Sequence, residues 1–486
     1  MTAPRDKAYR CAAFPARTAG AVAHVTSLPG AGPLGDVGAA ARRWVDALAE
    51  SGLGWWQICP LGPTGYGDSP YQPLSTSALN PHLIDLAELV SQGLATREEL
   101  SRLGPPGPRV DYGLLWTELR PLLARAADRA ARDPARLEAW GDVGAFRARE
   151  SAWLPGWCRF AAQREANGFR APAEWGRTET EPGAETRAAI LQLIADAQWS
   201  RLREHAASRG VRLLGDMPIY VSSDGCDFHE RPELFTRDEV AGVPPDYFSE
   251  DGQLWGNPLH DWKRQAEDGF SWWQARVDRD LRLFDAARID HFRGLCDYWA
   301  VPKGAASAKE GCWRPGPGLA FFEALGKRAL VAEDLGLLSP GVHALRAKAG
   351  LPGMAVLQFG FPRTEDNPHH PETITPDRVV YTGTHDNDTT EGWFAGLSPE
   401  VAREARAALG EGSPSGAAWR AALASPAIAA FAPAQDMLGL GAEARLNTPG
   451  VAQGNWAWRM TERQLERLRE GAGEARRMVR SAGRGV

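Results

Sequence analysis

Eight short β-rich runs, most of them separated by helix-like stretches, constrain this 486-residue chain more than any other feature. They are residues 21–26 (AVAHVT), 55–60 (WWQICP), 211–219 (VRLLGDMPI), 287–292 (ARIDHF), 330–335 (LVAEDL), 354–360 (MAVLQFG), 379–386 (VVYTGTHD) and a weaker last run at 437–440. Helix-like stretches fall at 39–51, where Trp44, Val45, Ala47 and Leu48 recur at helical spacing, at 186–209, which Gly210 closes, and at 321–327 and 341–349. Alternating strand and helix patterns imply a parallel sheet. Eight units imply closure into a TIM-type (β/α)8 barrel, with an open doubly wound sheet as the alternative.

The rhythm breaks once. Residues 62–185 hold no run of the same kind and read as amphipathic helices at 96–103, 118–140 and 146–168. The expected organisation is one catalytic barrel over 1–486, a mainly helical insertion at 62–185 after the second strand, and a lid region at 222–260. Two polar-aromatic loops, 62–71 (GPTGYGDSPY) and 242–258 (GVPPDYFSEDGQLWGNP), offer the rings of Tyr66, Tyr71, Tyr247, Phe248 and Trp255. A lid that excludes water is the functional reading; an ordered surface loop anchored by its aromatics is the plainer one. The basic tail after Gly471 is expected to fray.

Composition excludes several classes. A net charge of −6 gives no basic surface for nucleic acid. Cysteines at 11, 59, 158, 226, 296 and 312 form no CxxC or zinc-like spacing, and Cys59 reads as a buried thiol. The first residues lack the apolar core of a signal peptide, and no run approaches the ~18 apolar residues of a membrane span. The expectation is a soluble, cytoplasmic chain. Tryptophan stands out at 19 residues. Core packing is the commoner role for any one indole, but indoles also stack on sugar rings. Position near carboxylate-bearing loops singles out Trp55, Trp56, Trp255, Trp272, Trp273 and Trp393.

Barrel enzymes carry catalytic groups at the C-terminal ends of different strands. Four runs here bear carboxylates at or near that end: Asp216, Asp290, Glu333 and Asp386. Cleaving a glycosidic bond takes two carboxyls, one to protonate the leaving oxygen and, in retaining enzymes, one to attack the anomeric carbon. Period-two alternation puts Arg288 and Asp290 on one strand face, where a guanidinium would hold the carboxylate ionised. A structural ion pair inside the barrel is the alternative. The same alternation sends Glu333 and Asp334 to opposite sides, so only one faces the mouth. An acid/base there needs a raised pKa, which burial or Asp290 would supply. His385 and Asp386 could grip vicinal hydroxyls, although a lone His-Asp step is weak.

Taken together, LGPTGYGDSPYQ (61–72), NPHLIDL (80–86), GDMPIYV (215–221), GVPPDYFSEDGQLWGNP (242–258), ARIDHFRG (287–294), AEDLG (332–336), GTHDND (383–388), RLNTPG (445–450) and GNWAWR (454–459) resemble the amylomaltases, the 4-α-glucanotransferases of glycoside hydrolase family 77. The ordered set spans most of the chain. The resemblance implies a TIM barrel with inserted subdomains and no C-terminal β-sandwich. It implies Asp290 as nucleophile, Glu333 as acid/base and Asp386 as transition-state stabiliser. Arg288, His291 and His385 would contact the donor sugar, and Asp216, Ser69, Tyr71, Gln253, Trp255 and Asn447 would line the glucan groove. The expected partners are α-1,4-glucans such as maltooligosaccharides and starch- or glycogen-derived dextrins. No metal, organic cofactor, nucleic acid, membrane or obligate protein partner is expected. One stretch departs from the family: residues 224–235 read DGCDFHERPELF, with His229 where members tend to carry Trp, and acceptor preference is the property this bears on.

The implied reaction transfers a glucan segment to the 4-hydroxyl of another glucan or of glucose. Three other readings stand beside it. An α-1,4-glucan hydrolase could use the same carboxyls. A metal-dependent barrel hydrolase would use His24, His291, His385 and Asp290, but the first strand lacks an HxH pair. A non-catalytic glucan-binding protein would use the groove alone.

Overall fold

Eight strands of three to six residues carry the buried runs, and they form one parallel sheet that curls into a nearly closed barrel. The computed structural model describes residues 9–65, 67–245, 250–336 and 338–485. In chain order the strands are β1 (Thr18–Val22), β2 (Trp55–Gln57), β3 (Arg212–Met217), β4 (Phe235–Val243), β5 (Gln253–His260), β6 (Ala286–Ile289), β7 (Asp297–Pro302), β8 (Cys312–Pro315), β9 (Leu330–Ala332), β10 (Gly353–Val356), β11 (Arg378–Tyr381) and β12 (Ala429–Pro433). The barrel sheet runs β10-β11-β12-β1-β2-β3-β6-β9. Its two ends meet where the Ala332 N–H donates to the Pro352 carbonyl at 2.9 Å.

Alternation sorts the side chains. Trp55, Leu214, Ala286, Val331, Met354, Val356, Val379, Tyr381 and Phe431 pack together inside the barrel, whereas Trp56, Leu213, Ala355 and Val380 face the surrounding helices. Gly20 lies where a Cβ would collide with the Phe431 ring and Trp55, so this layer closes only with glycine. Outside, the helix Ala39–Glu50 buries Trp44, Val45 and Leu48, and Trp44 meets Trp56 edge-on at 6.4 Å. Each such large apolar side chain contributes about 1.5–3 kcal/mol by leaving water.

Between β2 and β3 the chain is helical, with Leu86–Ser91, Arg97–Ser101, Arg120–Arg132, Val143–Arg149 and Leu154–Ala166 preceding the long helix Ala184–Ser208. Thr96 forms a capping box with Glu99, whose carboxylate also takes Arg129 at 2.7 Å. Strands β4, β5, β7 and β8 make a second, antiparallel sheet in the order β5-β4-β7-β8.

Three expectations need correction. The eighth barrel strand is β12, not 437–440: Ala434–Met437 is helical, and the alanine-rich run 429–433 carries no branched apolar residue to mark it as strand. Residues 253–258, read as part of a loop, belong to β5, which pairs antiparallel with β4; Tyr66, Tyr247 and Phe248 lie outside the described residues. The tail is not loose. Ala472–Ser481 is an amphipathic helix with Val479 buried, and the Arg484 guanidinium is fully buried against the carbonyls of Thr18, Leu423 and Ser425. The expected fraying does not occur because three distant carbonyls at the foot of the barrel hold Arg484. Among the described residues no helix is long and apolar enough to cross a membrane.

Candidate active site

Arg288, on the inner face of β6, organises the barrel mouth. Its Nε donates to Asp216 Oδ2 at 2.8 Å, and its Nη2 reaches the same oxygen at 2.7 Å and Asp290 Oδ1 at 2.9 Å. Asp216 comes from the adjacent strand β3, which pairs in register Asp216 with Arg288. Burial opposes the charge on Arg288, but Asp216, Tyr71 and Asp290 outweigh it and hold the guanidinium protonated. Asp290 follows β6 directly, and its N–H is tied to the Met217 carbonyl at 3.0 Å. One carboxylate oxygen is thereby fixed on Arg288, as a nucleophile requires.

The next residue turns the chain sharply. His291 has φ of +49°, a conformation that costs a non-glycine residue free energy and so marks a constrained point. The turn aims the His291 N–H at Glu333 Oε2, 2.6 Å away, while the Leu335 N–H donates to Oε1 at 3.1 Å. Glu333 therefore faces the mouth. Asp334 is directed oppositely, to Arg378 at 2.6 Å and the Met354 N–H at 2.7 Å. Packing around the Glu333 carboxyl pushes its pKa up, the Asp290 charge pushes it further, and Arg288 and the two N–H donors only partly offset them; it lies at about 8. Glu333 is thus protonated at neutral pH beside an arginine-held carboxylate, the division of labour that an acid and a nucleophile need. Burial likewise lowers His291 to about 4, so its imidazole is neutral.

Across the mouth, Asp386 follows the β11 loop and is nearly half exposed, with His385 Nε2 at 3.3 Å. Burial of its surroundings favours the neutral acid, but His385, Asn447 and Arg288 overcome that and hold the Asp386 pKa down at about 2. Asn447 Nδ2 donates to Asp386 Oδ1 at 2.6 Å, and Arg445 Nη2 to the Asp386 carbonyl at 2.8 Å. Tyr71 bridges the halves of the site. Its hydroxyl donates to Asp216 at 2.7 Å and lies 3.3 Å from His385 Nδ1, and its ring stacks on His385 at 4.6 Å. Ser69 Oγ accepts the Tyr71 N–H and so shapes that loop. On the opposite wall, β5 brings Trp255 edge-on to His291 at 4.9 Å, with Gln253 Oε1 accepting from its indole.

The structure therefore gathers Asp216, Arg288, Asp290, His291, Glu333, Tyr71, His385, Asp386 and Asn447 into one contiguous cluster, with Ser69, Gln253 and Trp255 on its walls. Two members escaped the reading of single residues. Trp456, whose ring lies 5.7 Å from both Tyr71 and His385, and Arg445 sit in GNWAWR and RLNTPG, motifs that already carried the signal. Of the tryptophans singled out, Trp55, Trp56 and Trp273 are buried core, and Trp272 and Trp393 pack against core clusters; only Trp255 borders the cluster. His229 contacts Phe160 and Trp175, rings of the helical segment before β3. Among the described residues no group of three or more His, Cys, Asp or Glu is arranged to hold a metal ion. His24 is buried, and burial lowers it to about 3, so it is a neutral core histidine.

A parallel barrel with an arginine-held carboxylate and a protonated carboxyl side by side at its mouth is the architecture of an enzyme acting on glycosidic bonds. A family model described as glycoside hydrolase family 77, 4-alpha-glucanotransferase, matches residues 23–465. The 4-alpha-glucanotransferase of Thermus thermophilus is 42% identical over 92% of this chain and 96% of its own, and that of Synechocystis is 40% identical over 92% and 95%. The solved amylomaltase from Streptococcus agalactiae in complex with acarbose superposes with a TM-score of 0.91 at 33% identity, covering 97% of this chain and all of its own. The chain belongs to the 4-alpha-glucanotransferases of glycoside hydrolase family 77.

Proposed function

We propose that this enzyme transfers α-1,4-glucan segments by retaining double displacement, with Asp290 as nucleophile, Glu333 as acid/base and Asp386 stabilising the transition state. The observation that carries the assignment is the contrast between two neighbours: Asp290 bound to Arg288 at 2.9 Å, and Glu333 raised to about 8. Asp290 attacks the anomeric carbon while the Glu333 proton passes to the leaving glycosidic oxygen. The bond to the leaving glucan breaks, and a β-glycosyl ester on Asp290 remains. The 4-hydroxyl of an acceptor then enters; Glu333, now a carboxylate, takes its proton, and the ester is replaced by a new α-1,4 bond. Asp386 and His385 face the ring hydroxyls, where contacts strengthen as the sugar flattens toward an oxocarbenium ion.

The substrates are α-1,4-glucans: maltooligosaccharides and dextrins derived from starch or glycogen. Trp255 on β5, beside His291, offers an indole along the groove wall, where a sugar ring can shield the ester from water. Incubation with maltotriose tests this. Transfer yields glucose together with glucans longer than maltotriose. Formation of shorter products alone would show a hydrolase on the same carboxyls.

A further inference from the structure

The indole of Trp313 is 41% exposed, an uncommon state for so large an apolar side chain. It lies on β8, the outermost strand of the antiparallel sheet, where every residue from Cys312 to Pro315 is exposed. Yet it is held rigidly. The Arg293 guanidinium sits 3.7 Å from the ring centroid, and Arg293 Nε is anchored on Asp297 at 2.6 Å. Trp299, its cross-strand partner, meets it edge-on at 5.2 Å and is itself fixed by an Nε1 hydrogen bond to the Ala308 carbonyl. Pre-fixing an exposed ring removes the entropy that a ligand would otherwise have to overcome.

The position of the ring matters as much as its exposure. Arg293 is two residues beyond His291, whose N–H binds Glu333 and whose ring meets Trp255. Contacts and chain adjacency thus link Trp255, His291, Arg293 and Trp313, from the residue that binds the acid/base carboxyl to the edge strand. The polar groups at Trp313 are those of the Arg293–Asp297 pair, whereas Arg314 and Glu239 pair on the other face of the sheet. A flat apolar face with charged hydrogen-bonding groups at its rim suits a sugar ring, which is apolar on its C–H faces and hydroxylated at its edge. It does not suit a protein partner, which needs a broad apolar patch, nor strand addition at β8, which is four residues long and ends in proline.

We propose that Trp313, backed by Arg293 and Trp299, is an outlying glucan-stacking site that continues the substrate groove beyond the catalytic mouth and is occupied by chains too long to be held by the mouth alone. The inference rests on the glucan-transfer reading above for the identity of its ligand. Its effect is a preference for length. A chain reaching Trp313 gains a contact that maltotriose at the mouth lacks.

The test compares the ratio of kcat/KM for a long soluble amylose to that for maltotriose in wild type, Trp313→Ala and Trp313→Tyr. The expected ratio falls about fivefold in Trp313→Ala, the scale of one aromatic stacking contact, and is largely kept in Trp313→Tyr. A folding defect lowers both substrates together and leaves the ratio alone, so an unchanged ratio overturns the proposal. Retardation of the intact proteins in native gels containing soluble amylose reads binding without turnover. Weaker retardation of Trp313→Ala than of wild type supports the site, and equal retardation overturns it. Failure of wild type to disproportionate maltotriose would count against the transfer reading, while the gel still decides the site.

Discussion

Arg288 Nη2 lies 2.9 Å from Asp290 Oδ1, two residues on and just past the end of its strand, and the same guanidinium holds Asp216 on the neighbouring strand. Asp290, the proposed nucleophile, is thus fixed by a group that is itself fixed from behind. Arg288→Lys keeps the charge but loses the planar fork that spans two carboxylates. The expected outcome is a loss of about 10²–10³-fold in kcat with a smaller change in KM, the scale of removing one preorganised electrostatic contact. Steady-state kinetics on maltotriose check it.

Glu333 supplies the pH dependence. Its folded-state pKa of about 8 is above the ordinary glutamic acid value, so the folded protein binds the proton more tightly than the unfolded chain. Two consequences follow from that sign. Transfer activity falls as pH rises through about 8, because the acid form disappears, and Asp290→Asn moves the Glu333 titration downward by removing the neighbouring charge. Stability contributed by the native environment also runs downhill with pH between the unfolded value, roughly 4.3, and about 8. Glu333→Gln is therefore expected to raise Tm relative to wild type at about pH 8 and to leave it nearly unchanged at about pH 4. Calorimetric melts at the two pH values check this, and equal shifts at both would contradict it.

Asn447 donates to Asp386 at 2.6 Å and helps keep that exposed carboxyl at about 2. Asn447→Ala removes the donor without touching Asp290 or Glu333. A drop of about tenfold in kcat is expected, since a charge-assisted hydrogen bond contributes roughly 1.5–3 kcal/mol and only the part that grows in the transition state affects the rate. The Tm is expected to stay within a degree or so of wild type, because the side chain lies at the open mouth.

Arg484 ties the last helix to the foot of the barrel through the carbonyls of Thr18, Leu423 and Ser425. Arg484→Ala removes a buried donor from three carbonyls, of which Ser425 keeps Arg17 Nη2 at 2.7 Å, at a cost of about 1–3 kcal/mol in stability. Denaturant unfolding reads the loss. Activity at low temperature is expected to survive, because no residue of the mouth touches Arg484.

Much of the site was legible because it is carried by strand ends, where local alternation dictates direction. Arg288 with Asp290, and Glu333 against Asp334, could be assigned to faces from spacing alone, and the structure places them so. What spacing could not show lies where long-range packing decides. The strand Ala429–Pro433 is mostly alanine around a single Phe431 and is buried by neighbours such as Trp55 and Tyr381, so the eighth run was sought eight residues too late. Trp55 and Trp273 sit close in sequence to functional loops yet point into the core, whereas Trp456 reaches the site from the far end of the chain. The tail was expected to fray because the acceptors that hold Arg484 lie 59, 61 and 466 residues away in sequence.

The central claim is that Asp290 is the covalent nucleophile of a retaining transfer. Its most direct measurement is peptide mass spectrometry of Glu333→Gln after reaction with α-maltosyl fluoride, a donor that needs no acid to leave but whose ester waits for the missing base. The account predicts one added maltosyl group on the peptide that contains Asp290, and none in the Asp290→Asn, Glu333→Gln double variant. An adduct on another residue, or turnover with inversion at the anomeric carbon and no adduct, would contradict it.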